Sequence, residues 1–205
     1  MKDETVSCAA EELPRCLSSR QLLDVISALS KAVEKAEPYT DAHQFATAQF
    51  SLALAGRVGI SGVSLQLIHL GAQLHDIGKI GVPQSLLLKP GTLSAAEFAV
   101  VKQHCHIGRE IVSNINFGVP IAELIEQHHE KLDGSGYPNG LCGTAIMSEA
   151  LVVGVADIVD AMRSNRGYRP AMTLDAIILV LEKESGSRLP SGYIDAAIDL
   201  LRQTV

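Results

Sequence analysis

The stretch Leu65-Gln66-Leu67-Ile68-His69-Leu70-Gly71-Ala72-Gln73-Leu74-His75-Asp76-Ile77-Gly78-Lys79 constrains this chain more than any other. Its Leu and Ile spacing is that of a buried helix, and it delivers an imidazole and a carboxylate, His75 and Asp76, into a protein interior. Such groups cost several kcal/mol each, roughly, unless a metal or hydrogen-bonding partners compensate. The fold must therefore supply those partners at the end of this helix. Of the seven histidines, His43, His104, His128 and His129 stand in segments able to converge on His75; His69 and His106 read as non-ligands.

The remaining pattern is helical throughout. Leu22, Leu23, Ile26, Leu29, Ala32 and Val33 recur at helical spacing between Ser18 and Glu37, and Pro38 closes that segment. A second helix is predicted over about Thr40 to Gly56, with His43 near its start, and a third from Ser61 or Val63 through the central motif to the Gly81-Val82-Pro83 break. Ser94-Ala95-Ala96-Glu97 is a capping-box signature for a fourth helix to about Ile115, which would contain His104 and His106. Pro120 suits the first turn of a helix ending at His128-His129-Glu130. Beyond it, Asp133-Gly134-Ser135-Gly136-Tyr137-Pro138-Asn139-Gly140 is too glycine-rich for a regular element and reads as an ordered loop beside the histidines. Helices follow over Ser148 to Ser164, with Asp157 and Asp160 one turn apart, over Leu174 to Lys183, and over Ser191 to Arg202. Strand-like alternation is nowhere sustained, so the expected class is all-α with about seven or eight helices.

At 205 residues and 47% hydrophobic composition the chain can bury one substantial core. The expected division is an N-terminal arm and helix over 1–37 and one domain over 38–205. A net charge of −6 and a pI near 5.6 argue against a nucleic-acid polymer as partner, so any phosphate substrate must find positive charge locally. No run of about 18 apolar residues is present, and no membrane span is expected. Cys8, Cys16, Cys105 and Cys142 lack CxxC spacing and nothing in Met1-Lys2-Asp3-Glu4 resembles a signal peptide, so a cytoplasmic location with reduced thiols is expected.

His43, His75, Asp76, His104, His128, His129 and Asp157 together have the composition of a dinuclear site for a first-row metal such as iron or manganese. Adjacent His128 and His129 cannot share one helix face, but at a helix end both can reach inward.

The order of these residues carries a resemblance. His43, then His75-Asp76-Ile77-Gly78-Lys79, then His104 with Gly108, then His128-His129-Glu130-Lys131-Leu132-Asp133-Gly134-Ser135-Gly136-Tyr137-Pro138, then Val155-Ala156-Asp157, resembles the HD-GYP family of cyclic di-GMP phosphodiesterases over roughly Pro38 to Leu200. The long HHExxDGSGYP motif is specific, whereas an HD pair alone is shared by many metal phosphohydrolases. The resemblance implies an HD-domain helical bundle, two divalent metals, and hydrolysis of a cyclic dinucleotide to its linear form by a hydroxide bridging the metals. It further implies that His43, His75, Asp76 and Asp157 hold one metal, with Asp76 bridging to a second held by His104, His128 and His129.

Beside the metals, Lys79 stands one turn beyond Asp76 and is expected to reach the reacting phosphate or help the leaving oxygen, and Asp160 to orient a ligand or the nucleophile from behind. Arg166 and Arg169 fall where the resemblance implies phosphate-contacting basic residues. Gly134 and Gly136 permit positive φ, so the loop is expected to fold against the site, expose backbone amides, and present Tyr137 and Pro138 as an apolar tip. In the family this loop is associated with substrate handling and partner recognition, which makes a GGDEF-domain protein an expected partner; the N-terminal helix offers a homodimer contact. Cys105 and Gly167 replace family prolines, and Tyr39 stands where some members carry a glutamate for a third metal, so two metals are expected. Two other functions fit the same residues: an HD phosphohydrolase acting on another nucleotide, and a scaffold that docks a signalling partner through the loop.

Overall fold

The computed structural model describes residues 19–36, 43–165 and 170–203. Among them there is no strand, and the helices are α1 (Ser19–Ala36), α2 (His43–Arg57), α3 (Val63–Leu74), α4 (Gln84–Leu87), α5 (Ala95–Lys102), α6 (His104–Val112), α7 (Ile121–Gln127), α8 (Ser148–Arg163), α9 (Leu174–Glu184) and α10 (Ser191–Gln203). Two 3-10 turns, Ile77–Gly81 and Gly143–Ala145, complete the order. The all-α class expected from periodicity is the class observed.

The helices outnumber the expectation for two reasons. One-turn α4 is too short to show a period. The predicted fourth helix is also broken in two at Gln103, whose N–H turns to the Val100 carbonyl at 3.1 Å. The capping box forms as read: Glu97 N–H donates to Ser94 Oγ and Ser94 N–H to the Glu97 carboxylate. A second departure falls on the central motif, which is not continuous helix. α3 ends at Leu74, and Ile77 to Gly81 tighten into the 3-10 turn that packs against α6. Gly78 makes this approach feasible, because a Cβ there would lie 1.9 Å from the His104 carbonyl oxygen.

The core lies where α2 packs along α3 and α8. Leu54, Ile68, Leu124 and Val152 are fully buried there, each worth about 1.5–3 kcal/mol of hydrophobic stabilisation. α1 lays Ile26 and Val33 onto this body, and Ser30 Oγ donates to the Gln73 carbonyl at 2.6 Å. No helix among the described residues is long and apolar enough to cross a membrane.

Candidate metal centre

The helix ends converge. His75 follows the last residue of α3, His104 opens α6 directly after the Gln103 break, and His128 follows the last residue of α7. The last carbonyls of a helix lack intrahelical donors. Here the histidine supplies one each time: Nδ1 of His75 donates to Ala72 O at 2.7 Å, Nδ1 of His104 to Val101 O at 2.8 Å, and Nδ1 of His128 to Ile125 O at 2.6 Å. With Nδ1 committed to carrying the proton, Nε2 of each ring is the lone-pair nitrogen. His43 is tied from another element, its Nδ1 2.5 Å from Asp160 Oδ2.

Two groups of donor atoms result, each with its atoms within 4.8 Å of one another: His43, His75 and Asp157, and Asp76, His104, His128 and His129. Asp76 connects them, since Oδ2 lies 3.3 Å from His75 Nε2 and Oδ1 lies 3.5 Å from His104 Nε2. Asp157 Oδ1 faces His43 Nε2 at 3.2 Å. All seven residues proposed from sequence as ligands are brought together. Nε2 of His128 is buried without a hydrogen-bond partner, which is costly for a polar atom unless it binds something, and that of His75 faces the Asp76 carboxylate. A donor set of imidazoles and two carboxylates fits divalent first-row metals.

The electrostatics divide the two groups. Burial alone would lower the His43 pKa, but hydrogen bonds to Asp157 and Asp160 and the charges of Asp157 and Asp76 raise it to about 10. His75 is likewise raised against its burial, by Asp76 and Asp157. Burial lowers His104, and burial with neighbouring imidazoles lowers His128; burial takes His129 down to about 3. Asp76 and Asp157 stay ionised despite burial, held well below the usual carboxylate range by Lys79 and His75 in one case and by His43 and His75 in the other. His43 thus carries a proton among carboxylates, whereas His104, His128 and His129 are biased toward the neutral form.

Lys79, on the 3-10 turn, places Nζ 2.8 Å from Asp76 Oδ2. Arg166 and Arg169 lie outside the described residues, as do Tyr39 and Gly167. His69 meets the Gln73 amide at 3.0 Å, and His106 pairs with Glu126 at 2.9 Å; neither joins the two groups.

The glycine-rich loop departs from the sequence reading at three points. Gly134 has φ of 77°, but Gly136 does not adopt positive φ. It is needed because a Cβ there would lie 2.5 Å from the Glu130 Cα. Tyr137 does not stand at a tip: its ring folds inward over His129, with centroids 4.6 Å apart and a 35° tilt. Nor are all the loop amides exposed. Glu130, fully buried, accepts the N–H of Asn139 at 2.7 Å and of Leu141 at 3.0 Å. Sequence reasoning missed this role, although a loop short of internal acceptors requires one, and a carboxylate directly before it was the available signal.

A family model described as HD domain matches residues 21–191. The chain is 39% identical over 177 residues to the cyclic di-GMP phosphodiesterase response regulator RpfG of Xanthomonas campestris pv. campestris, a match covering 85% of this chain and 47% of that protein. It is 35% identical over 159 residues to the 3'3'-cGAMP-specific phosphodiesterase 3 of Vibrio cholerae, covering 78% of this chain and 35% of that one. The chain therefore spans about half the length of these curated relatives or less. Among solved structures, an HDG"Y"P protein of Bdellovibrio bacteriovorus shares the fold, with a TM-score of 0.68, 23% identity, and coverage of 90% of this chain and 65% of that one.

Proposed function

The chain belongs to the HD-domain family, and from that premise we propose that it is a metal-dependent phosphodiesterase that opens a cyclic dinucleotide, cyclic di-GMP foremost, to the linear dinucleotide. The observation that carries the reading is the pair of donor groups joined through Asp76, with the buried Nε2 atom of His128 unpartnered. Two divalent ions, iron or manganese by donor type, would be held by His43, His75, Asp76 and Asp157 and by Asp76, His104, His128 and His129. When bound, they supply Lewis-acid neutralisation of phosphate oxygens and lower the pKa of water.

The chain's own groups do the rest. Asp160 holds the Nδ1 proton of His43, so that Nε2 faces the centre. Lys79 Nζ holds Asp76 Oδ2, offers positive charge to the incoming phosphate, and supplies a proton at Nζ to the leaving oxygen. Tyr137 excludes water from the His129 side of the site, with Pro138 beside it in the substrate wall. Arg166 and Arg169 are assigned to clamp the dinucleotide, as the local cations an acidic chain requires.

A GGDEF-domain protein is assigned to the outer side of the loop, where Ser135 and Asn139 are exposed, and a homodimer to α1, whose Leu23, Val25 and Leu29 face water. The cytoplasm is the proposed location, where Cys105 and Cys142, both free, stay reduced. The test is incubation of metal-reconstituted chain with cyclic di-GMP, 3'3'-cGAMP, and nucleoside mono- and triphosphates, with products separated by chromatography. Release of a linear dinucleotide is expected. Preferential hydrolysis of mononucleotides would reassign the substrate, and turnover of none would leave the scaffold reading.

A further inference from the structure

Helix α5 buries none of its residues, yet it carries Phe98, 43% exposed, and Lys102 at the rim of the metal centre. A ring left half in water contributes little to the core. Its position is nevertheless specific: the Phe98 ring meets Tyr137 edge to face at 5.9 Å between centroids, and Tyr137 in turn lies over His129. Lys102 Nζ stands over both rings, 5.4 Å from the Phe98 centroid and 5.7 Å from that of Tyr137. Phe98, Tyr137 and His129 thus lead by successive ring contacts from solvent to a donor of the second group.

We propose that Phe98 and Lys102 form a purine subsite, in which one base of the cyclic dinucleotide stacks on the Phe98 ring and the Lys102 ammonium reads it as guanine. The inference rests on the cyclic dinucleotide reading above. Stacking on an aromatic ring accepts any base, since every base has a π-face. The ammonium supplies selectivity: guanine presents acceptors at both O6 and N7, whereas adenine presents N7 beside an amino donor. Among the described residues Lys102 has no carboxylate partner. Its contact with the exposed Phe98 ring and the half-buried Tyr137 ring is weak and can be exchanged for a bond to the guanine oxygen.

The test is steady-state kinetics on the metal-loaded full chain, with metal content measured in parallel. Cyclic di-GMP is the substrate, and cyclic di-AMP is measured by KM or, without turnover, as a competitive inhibitor. Phe98→Ala should weaken both dinucleotides about 10-fold in KM or Ki with kcat and metal content unchanged, and Phe98→Tyr should restore wild-type values. Lys102→Met should raise the KM of cyclic di-GMP about 10-fold and leave cyclic di-AMP within about twofold. Because α5 buries no residue, these variants should keep the wild-type melting curve. An unchanged KM in Phe98→Ala, or an equal rise for both dinucleotides in Lys102→Met, overturns the subsite. A wild-type chain that hydrolyses no cyclic dinucleotide overturns the parent reading, and the subsite with it.

Discussion

Asp160 Oδ2 lies 2.5 Å from Nδ1 of His43, so a carboxylate on α8 sets the orientation of an imidazole from α2. An outer partner of this kind is worth about 10- to 100-fold in metal affinity. Asp160→Ala should therefore lower the affinity by that factor, read by elemental analysis across a chelator titration. His75→Ala should empty the centre further. His69→Ala and His106→Ala should leave occupancy near wild type, and equal loss from all of these would refute the assignment of donors.

Metal uptake should release protons. Before a metal binds, Asp157 and Asp160 hold the His43 pKa at about 10 against its burial, so near neutral pH the proton must leave before Nε2 can bind. Affinity should fall as pH falls, by up to about tenfold per unit on account of this residue. His129, down at about 3, should add nothing at neutral pH. Calorimetry in buffers of different ionisation enthalpy measures the release, and its absence at pH 7 would contradict this account. The same shift makes a linked prediction for the metal-free chain. Its stabilisation is fully present below about 6.5 and is lost as pH rises toward about 10.

Lys79 separates charge from ligation. It touches Asp76 but donates no lone pair, so Lys79→Ala should keep the metal while kcat falls about 10- to 100-fold, the scale of one charge-assisted contact. Arg166→Ala and Arg169→Ala should instead raise KM by a similar factor. Loss of metal from Lys79→Ala, or wild-type kinetics in both arginine variants, would contradict these roles.

Glu130 should matter to the loop before it matters to chemistry. Its carboxylate satisfies two backbone N–H groups, at 2.7 Å and 3.0 Å, and charge-assisted bonds of this kind are worth about 1.5–3 kcal/mol each. Glu130→Ala should lower the denaturation midpoint and raise hydrogen exchange at Asn139 and Leu141. Unchanged exchange at those two amides would show that the loop holds itself.

Local signals were legible and non-local ones were not. The Ser94 capping box could be read because its partners are three residues apart, and the helical class because the apolar period repeats within each segment. The break at Gln103 was not legible, since nothing in residues 95–112 announces it. It belongs with the close packing of Gly78 against the His104 carbonyl, a contact between different elements. Gly136 permits positive φ, but the need for glycine there comes from the nearby Glu130 backbone.

By itself, the sequence determined the helical class, the Ser94 cap and the inventory of imidazoles and carboxylates, because these depend on neighbours within about one helical turn. Even the bonds that fix Nδ1 of His75, His104 and His128 span only three residues. Tertiary structure alone decided that α2 brings His43 to Asp157 and Asp160, that Tyr137 turns inward over His129, and that Phe98 remains half in water. The His43 contacts join positions more than 100 residues apart in the chain. They exist only once the cores of α2, α3 and α8 have packed, since side-chain proximity across elements is set by which apolar faces are buried together and not by spacing along the chain.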